Sequence, residues 1–195
     1  MSKAVLISIR PKWCQKIMTG QKTIEVRKTR PKMNPPFKCY IYCTKPEEKL
    51  LAIMKDGDEN YGEIYHGKPV FIKTEKAPTT GILDMRQKVI GEFVCDEIIS
   101  IDGAGKIPSD IARPTCLEPA ELHQYLGAAT GFGWHISNLK IYDTPRELND
   151  FRRACKNDWW CDSCAMYWEH NGTCGNDSLQ IRRPPQSWCY VEELP

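Results

Sequence analysis

The first 28 residues change their apolar period twice, and nothing else in the chain constrains its fold as strongly. Ala4 to Ile9 alternates as a strand does. Pro11 to Met18 then reads as a short helix with proline in its first turn, and Gly20 stops it. Thr23 to Lys28 returns to a strand in which Ile24 and Val26 point one way while Thr23, Glu25 and Arg27 point the other. This second strand therefore presents a polar trio on a face that need not be buried.

Strands recur from there. The loop Thr29 to Pro36, broken by Pro31, Pro35 and Pro36, leads into a strand at Phe37 to Cys43. Weaker strand signals lie at Leu50 to Met54 and Pro69 to Lys73. Val89 to Ile101 is expected to be one long bent strand, with Gly91 permitting a bulge or a barrel corner. Glu118 to Leu126 is a helix stopped by Gly127, and Gly127 to Gly133 a flexible connector. Trp134 to Tyr142 is a further strand. Thr144, Pro145 and Glu147 fit the N-cap, first position and third position of a short helix running to Phe151. Ser187 to Val191 is the last strand. Many short strands, few helices and a closing strand point to an α+β chain in which a small barrel is closed by its first and last strands.

A chain of 195 residues can bury a core without covalent staples. It contains no apolar run near the roughly 18 residues a membrane span needs, and the apolar run at its N-terminus is too short for a signal sequence. A cytoplasmic location is expected, with no membrane partner. The net charge of +2, from 27 basic and 25 acidic residues, excludes binding of nucleic acid by bulk charge. Any such binding has to come from a local patch.

Lys22, Glu25 and Arg27 put an ammonium, a carboxylate and a guanidinium in one small region. Arginine binds phosphate bidentately or stacks on a base, lysine supplies a point charge, and glutamate accepts from an exocyclic amine or a ribose hydroxyl. The plainer alternative is an exposed same-face ion pair of Glu25 with Arg27, worth little. In a catalytic version Lys22 would lose its proton or Glu25 would act as base on water. Trp13 and Trp134 are either stacking faces for bases or packing residues, and His135 reads as a satisfied structural histidine. Lys28, Arg30 and Lys32, with Arg182 and Arg183, either flank the same region or are solvated loop charges.

Ten cysteines divide into five scattered ones (Cys14, Cys39, Cys43, Cys95, Cys116), read as small buried apolar residues, and five crowded between Cys155 and Cys189. Cys155, Cys161, Cys164 and Cys174 can close a tetrahedral structural zinc site, with His170 or Cys189 as possible replacements for one ligand. Free buried thiols or a Cys161 and Cys164 redox pair are the alternatives.

The run Leu6-Ile7-Ser8-Ile9-Arg10-Pro11-Lys12-Trp13-Cys14 and the pattern Gly20-Gln21-Lys22-Thr23-Ile24-Glu25-Val26-Arg27-Lys28 resemble the signature of the ASCH family. Trp134 to Asp143 and Arg183 to Glu192 resemble the ends of a bacterial and phage subgroup whose C-terminal segment contains cysteines. The resemblance implies a PUA-like small β-barrel with a few short helices and a cleft lined by Lys22, Glu25 and Arg27. Arg10, Trp13 and Lys28 are placed beside that trio. It also implies binding of RNA or a nucleotide-containing ligand there. The alternatives are hydrolysis of a modified nucleoside or a ribonuclease on the same cleft, with Lys22 and Glu25 catalytic. A third is a protein-interaction module using the cysteine segment. One member type, an amidohydrolase of an acylated cytidine, has lysine at the position of Lys22 but threonine at that of Glu25, so this chain departs from it. The expected division is a barrel domain at residues 1–153, a cysteine-rich, zinc-stapled insertion at 154–182, and a final strand at 183–195 returning to the barrel.

Overall fold

β1 (Lys3–Ile9) is buried along six of its seven residues, which a half-exposed strand would not be. In the computed structural model, which describes residues 2–44, 50–53, 70–73, 82–155 and 175–194, with 50–53, 70–73 and 82–84 described by their backbone alone, β1 lies inside a five-stranded sheet covered on both faces.

α1 (Pro11–Met18) follows β1, with Pro11 in its first turn, and Gly20 leaves it at φ 72°. β2 (Ile24–Arg27) and β3 (Phe37–Cys43) match the expected strands. β4 (Leu50–Ile53), β5 (Val70–Lys73) and β6 (Ile82–Asp84) form a separate antiparallel sheet in the order β5-β4-β6. Then come β7 (Val89–Cys95), β8 (Ile98–Asp102), α2 (Ser109–Thr115) and α3 (Pro119–Leu126). β9 (Thr130–His135), β10 (Ser137–Arg146) and β11 (Trp188–Glu192) complete the strands. The main sheet runs β10-β7-β3-β1-β11, and a second runs β2-β9-β8. β1 pairs antiparallel with β11 and parallel with β3. The first and last strands are thus neighbours, as expected, and the architecture is α+β. The described strands form open sheets, however, with β10 and β11 at the edges of the largest and no closed barrel detected among them.

Alternation along β1 and β3 divides their side chains between two cores. Val5, Ile7, Ile9, Cys39, Ile41 and Cys43 face a cluster that takes in Cys14 and Ile17 of α1, Cys95 of β7 and Trp134 of β9. Ala4, Leu6, Tyr40 and Tyr42 face another, with Phe151 and Ile181. Phe151 packs edge-on to Tyr40, ring centroids 4.9 Å apart. A third cluster lies between the second sheet and the helices, joining Val26 and Ile101 to Ala112, Leu122 and Leu126. Cys14, Cys39, Cys43 and Cys95 are buried, as small apolar residues would be, and Cys116 is half-buried.

Several expectations are corrected. The span 89–101 is two strands in different sheets, broken at Asp96 and Glu97. The bulge near Gly91 is real: β7 slips one residue against β3 between Gly91 and Val89. The stretch 127–133 is no connector, because β9 begins at Thr130. Gly131 and Gly133 are packing residues, since an added Cβ would sit 2.3 Å from Leu126 Cδ2 and 2.8 Å from Ile24 Cγ2 respectively. Trp134 to Tyr142 is split between β9 and β10, with Asn138 at φ 47°. Thr144 to Arg146 belongs to β10, where Arg146 pairs with Val89, and only a 3-10 turn follows at Leu148–Asp150. There Glu147 caps the turn reciprocally with Asp150 and forms an ion pair with Lys88, so sheet pairing overrides the local helix signal. α2 had no anticipating signal.

Gly91 sits where the β10 backbone passes close: an added Cβ would meet the Lys140 carbonyl oxygen at 2.4 Å. Gly91→Ala is expected to cost about 1–3 kcal/mol by forcing the two backbones apart, measured by urea denaturation against wild type. An unchanged midpoint would contradict this packing.

Candidate functional site

Every charge on β2 is buried. Glu25 and Arg27, with Lys22 just before the strand, are 5, 9 and 2% exposed, so these three charges lie inward and the reading as an exposed ion pair is wrong. The cause is the partner strand. Glu25 is opposite Trp134 and Arg27 opposite Phe132, both of which contact the first core, while Val26 on the other side packs under α2 and α3. With both faces of β2 covered, its charges stay inside only because each finds oxygen or countercharge.

Lys22 Nζ donates to the carbonyls of Ile24 (2.8 Å) and Thr115 (2.7 Å) and lies 3.3 Å from Glu25 Oε2. Arg27 Nη2 donates to the Ser8 carbonyl at 2.6 Å and reaches Glu25 Oε1 at 3.0 Å. Glu25 is therefore clamped between two cations. Arg27 Nη1 makes a long 3.5 Å contact with Ser187 Oγ, and Arg27 Nε has no hydrogen-bond partner among the described residues. Ser8 Oγ donates to the Pro185 carbonyl, so β1, β2 and the chain entering β11 meet at this guanidinium. On the α2 side, Thr115 is held by its hydroxyl donating to the Ala112 carbonyl, and that hydroxyl accepts from the Leu117 amide.

The trio forms the floor of a cleft of about 430 Å³. Arg10, Trp13, Thr44, Leu117, Tyr125 and Gln186 are among its walls. Lys22 Nζ stands 5.2 Å from the centre of the Trp13 ring. Opposite, Tyr125 is 40% exposed, and its phenol is raised by burial and by Glu25 and lowered by Arg27. Ser8, Thr115, Leu117 and Tyr125 were not singled out from sequence. The first three act through backbone or position, but Tyr125 had a signal, an aromatic beside the Leu122 and Leu126 stripe of the amphipathic α3.

Other candidates fall elsewhere. Lys28 is exposed at the rim, its Nζ 5.3 Å from the Tyr125 ring centre. Arg30 covers Phe132 and Lys32 is held through its amide by Tyr190, neither lining the cleft. Arg182 and Arg183 line a separate depression with Arg153, so they do not flank the cleft even though β1 and β11 are paired. Trp134 is fully buried against Phe37 and Trp188 and offers no stacking face. His135 is partly exposed and pairs through Nδ1 with Asp96 at 2.6 Å, a bond that lowers the Asp96 carboxyl. Of the expected zinc ligands Cys155 is half-buried, while Cys161, Cys164, Cys174 and His170 lie outside the described residues. Among the described residues no group of three or more metal-binding side chains assembles, and no helix is long and apolar enough to cross a membrane.

No protein-family model matches the chain, and neither does any curated protein. Solved structures do. The crystal structure of ASCH from Zymomonas mobilis aligns with a TM-score of 0.54 at 16% identity, over 97% of this chain and 88% of that one. Crystal structures of a tyrosine-to-phenylalanine and a serine-to-alanine variant of that protein align equally well, at 16 and 15% identity. The chain has the fold of an ASCH domain.

Removing the central carboxylate would leave two buried cations facing each other. Glu25→Gln is expected to destabilise the protein by about 3–5 kcal/mol, read from the urea midpoint, and a loss below about 1 kcal/mol would contradict the clamp. Burial also raises the Cys14 and Cys39 thiols well above the ordinary range and the Cys95 thiol to about 12. These three are expected to resist iodoacetamide at pH 8 until urea is added, as followed by peptide mass mapping.

Proposed function

On this ASCH fold we propose that the cleft binds RNA or a nucleotide-containing ligand. One observation carries the reading: three cations, Arg10, Lys22 and Arg27, share one cavity with a single carboxylate and two aromatic rings. Its volume of about 430 Å³ falls in the range of about 300–1,000 Å³ usual for small-ligand sites. The excess positive charge suits a phosphate, and the guanidinium Nη1, with only a long 3.5 Å contact to Ser187 Oγ, retains donor capacity beyond the bonds that hold the fold. Trp13 and Tyr125 supply flat apolar faces of the kind on which bases stack. Enclosure strengthens each of these attractions relative to the same groups in water. A barrel-like PUA arrangement of the two main sheets is part of the same proposal.

The rival on this cleft is a hydrolase or ribonuclease using Lys22 and Glu25. Lys22 Nζ donates to two backbone carbonyls at 2.7 and 2.8 Å and lies 3.3 Å from Glu25 Oε2 as an ion pair, so it is held on three sides. That supports a fixed cation over a nucleophile. Turnover of RNA or a modified nucleoside, lost in Lys22→Ala, would reverse the preference.

The test is a titration of short single-stranded RNA and matching DNA at two salt concentrations. Arg27→Ala is expected to weaken RNA binding. Tyr125→Ala, at a partly exposed position that should not disturb folding, is expected to lose about 1–3 kcal/mol, a drop of about five- to 150-fold. Absence of binding by both polymers and by nucleoside monophosphates would overturn the proposal.

A further inference from the structure

A second cavity, of about 900 Å³, lies on the other side of the turn that follows α2. Leu117 lines both cavities, so they share a wall. Cys116, at φ 56° with its thiol donating to the Gln21 carbonyl, sets the turn in place beside α1. The new cavity carries Lys16, Lys106 and Arg113 against Asp110 and Glu118. The Glu118 carboxylate is already engaged as the cap of α3, accepting from a backbone amide in its first turn. None of the three cations has an ion-pair partner among the described residues. Three unpaired cations in one concavity repel one another, and an anion relieves that repulsion.

Trp13 connects the two sites. Its ring has Lys12 Nζ at 4.6 Å, Lys22 Nζ at 5.2 Å and Lys16 Nζ at 5.8 Å from its centre. Lys22 belongs to the first cavity and Lys16 to the second. Positive charge therefore continues from the cleft floor, past an aromatic ring and Leu117, into the second cavity. A mononucleotide in the cleft has no use for this track. A polyanion with flat groups between its charges does.

We propose that the second cavity is a subsite for the neighbouring nucleotide of a single-stranded RNA, its phosphate held by Lys16, Lys106 and Arg113, so that the ligand is an oligonucleotide crossing the Trp13 and Leu117 ridge. This rests on the nucleotide reading of the cleft. It adds polymer recognition, which the cleft alone does not require.

The test compares ribonucleoside 5′-monophosphates with a mixed-sequence RNA hexanucleotide at two salt concentrations. The proteins are wild type, the exposed double variant Lys106→Ala/Arg113→Ala, and Arg27→Ala, with thermal melts as the check on folding. Wild type is expected to bind the hexanucleotide at least about tenfold tighter than any monophosphate. The double variant should lose most of that gain and lower the slope of log K against log salt by about 0.7 for each phosphate contact removed, while monophosphate affinity stays within about twofold. Equal affinity for monomer and hexamer in wild type, with monomer binding weakened by Arg27→Ala, would overturn the subsite and leave the cleft reading intact. An unchanged hexamer affinity in the folded double variant would do the same, as would a hexaglutamate peptide that binds as tightly as the RNA. No binding of either RNA probe would remove both.

Discussion

Glu25 clamped between the ammonium of Lys22 and the guanidinium of Arg27 is the interaction on which the rest of the molecule turns. It lies where four parts of the chain meet. Lys22 reaches the carbonyl that ends α2, Arg27 reaches the carbonyl of Ser8 in β1 and the side chain of Ser187 ahead of β11, and all three charges sit on β2 or just before it. Burying three charges is costly, and their mutual attraction offsets that cost only when hydrogen bonds to fixed oxygens complete each group. Here the oxygens are mostly backbone carbonyls, which cannot swing away. The trio thus specifies where β2 stands against β1 and α2, whatever its net contribution to stability.

The scaffold around it is stiff for a separate reason. β1 and β3 are covered on both faces, so their side chains are divided between two cores with no solvent-facing row to give way. The second sheet is likewise enclosed between the first core and the helical cluster that holds Leu122 and Leu126. At the end of β1, where Arg10 turns into α1 and Tyr125 stands on α3, the packing opens into the cleft. The charges there are immobile, partly desolvated and open on one side, so no rearrangement is needed to expose them.

Much of this was legible from local pattern. α1 between Pro11 and Gly20 came from a helix start and stop, α3 from Glu118 and Gly127, and the bulge in β7 from Gly91. Where local and long-range signals disagreed, the long-range one prevailed. Thr144 to Arg146 carries a helix start, yet pairing with β7 draws it into β10. Gly127 to Gly133 looked loose because glycine is common in loops. Gly131 instead lies so close under Leu126 in β9 that an added Cβ would push that side chain aside.

By itself the sequence determined which residues form the charged trio, because Lys22, Glu25 and Arg27 are near neighbours in the chain and their spacing on a strand sets them together. It could not determine on which side of burial they fall. That depends on Thr115 and Ser8, 93 and 19 residues from the cations they hold, and on Trp134 and Phe132 closing the inner face of β2. The same holds for the walls. Trp13 and Tyr125 come to line one cleft, and Trp134 to be sealed in the core, through the pairing of strands far apart in sequence, which only the tertiary structure decides.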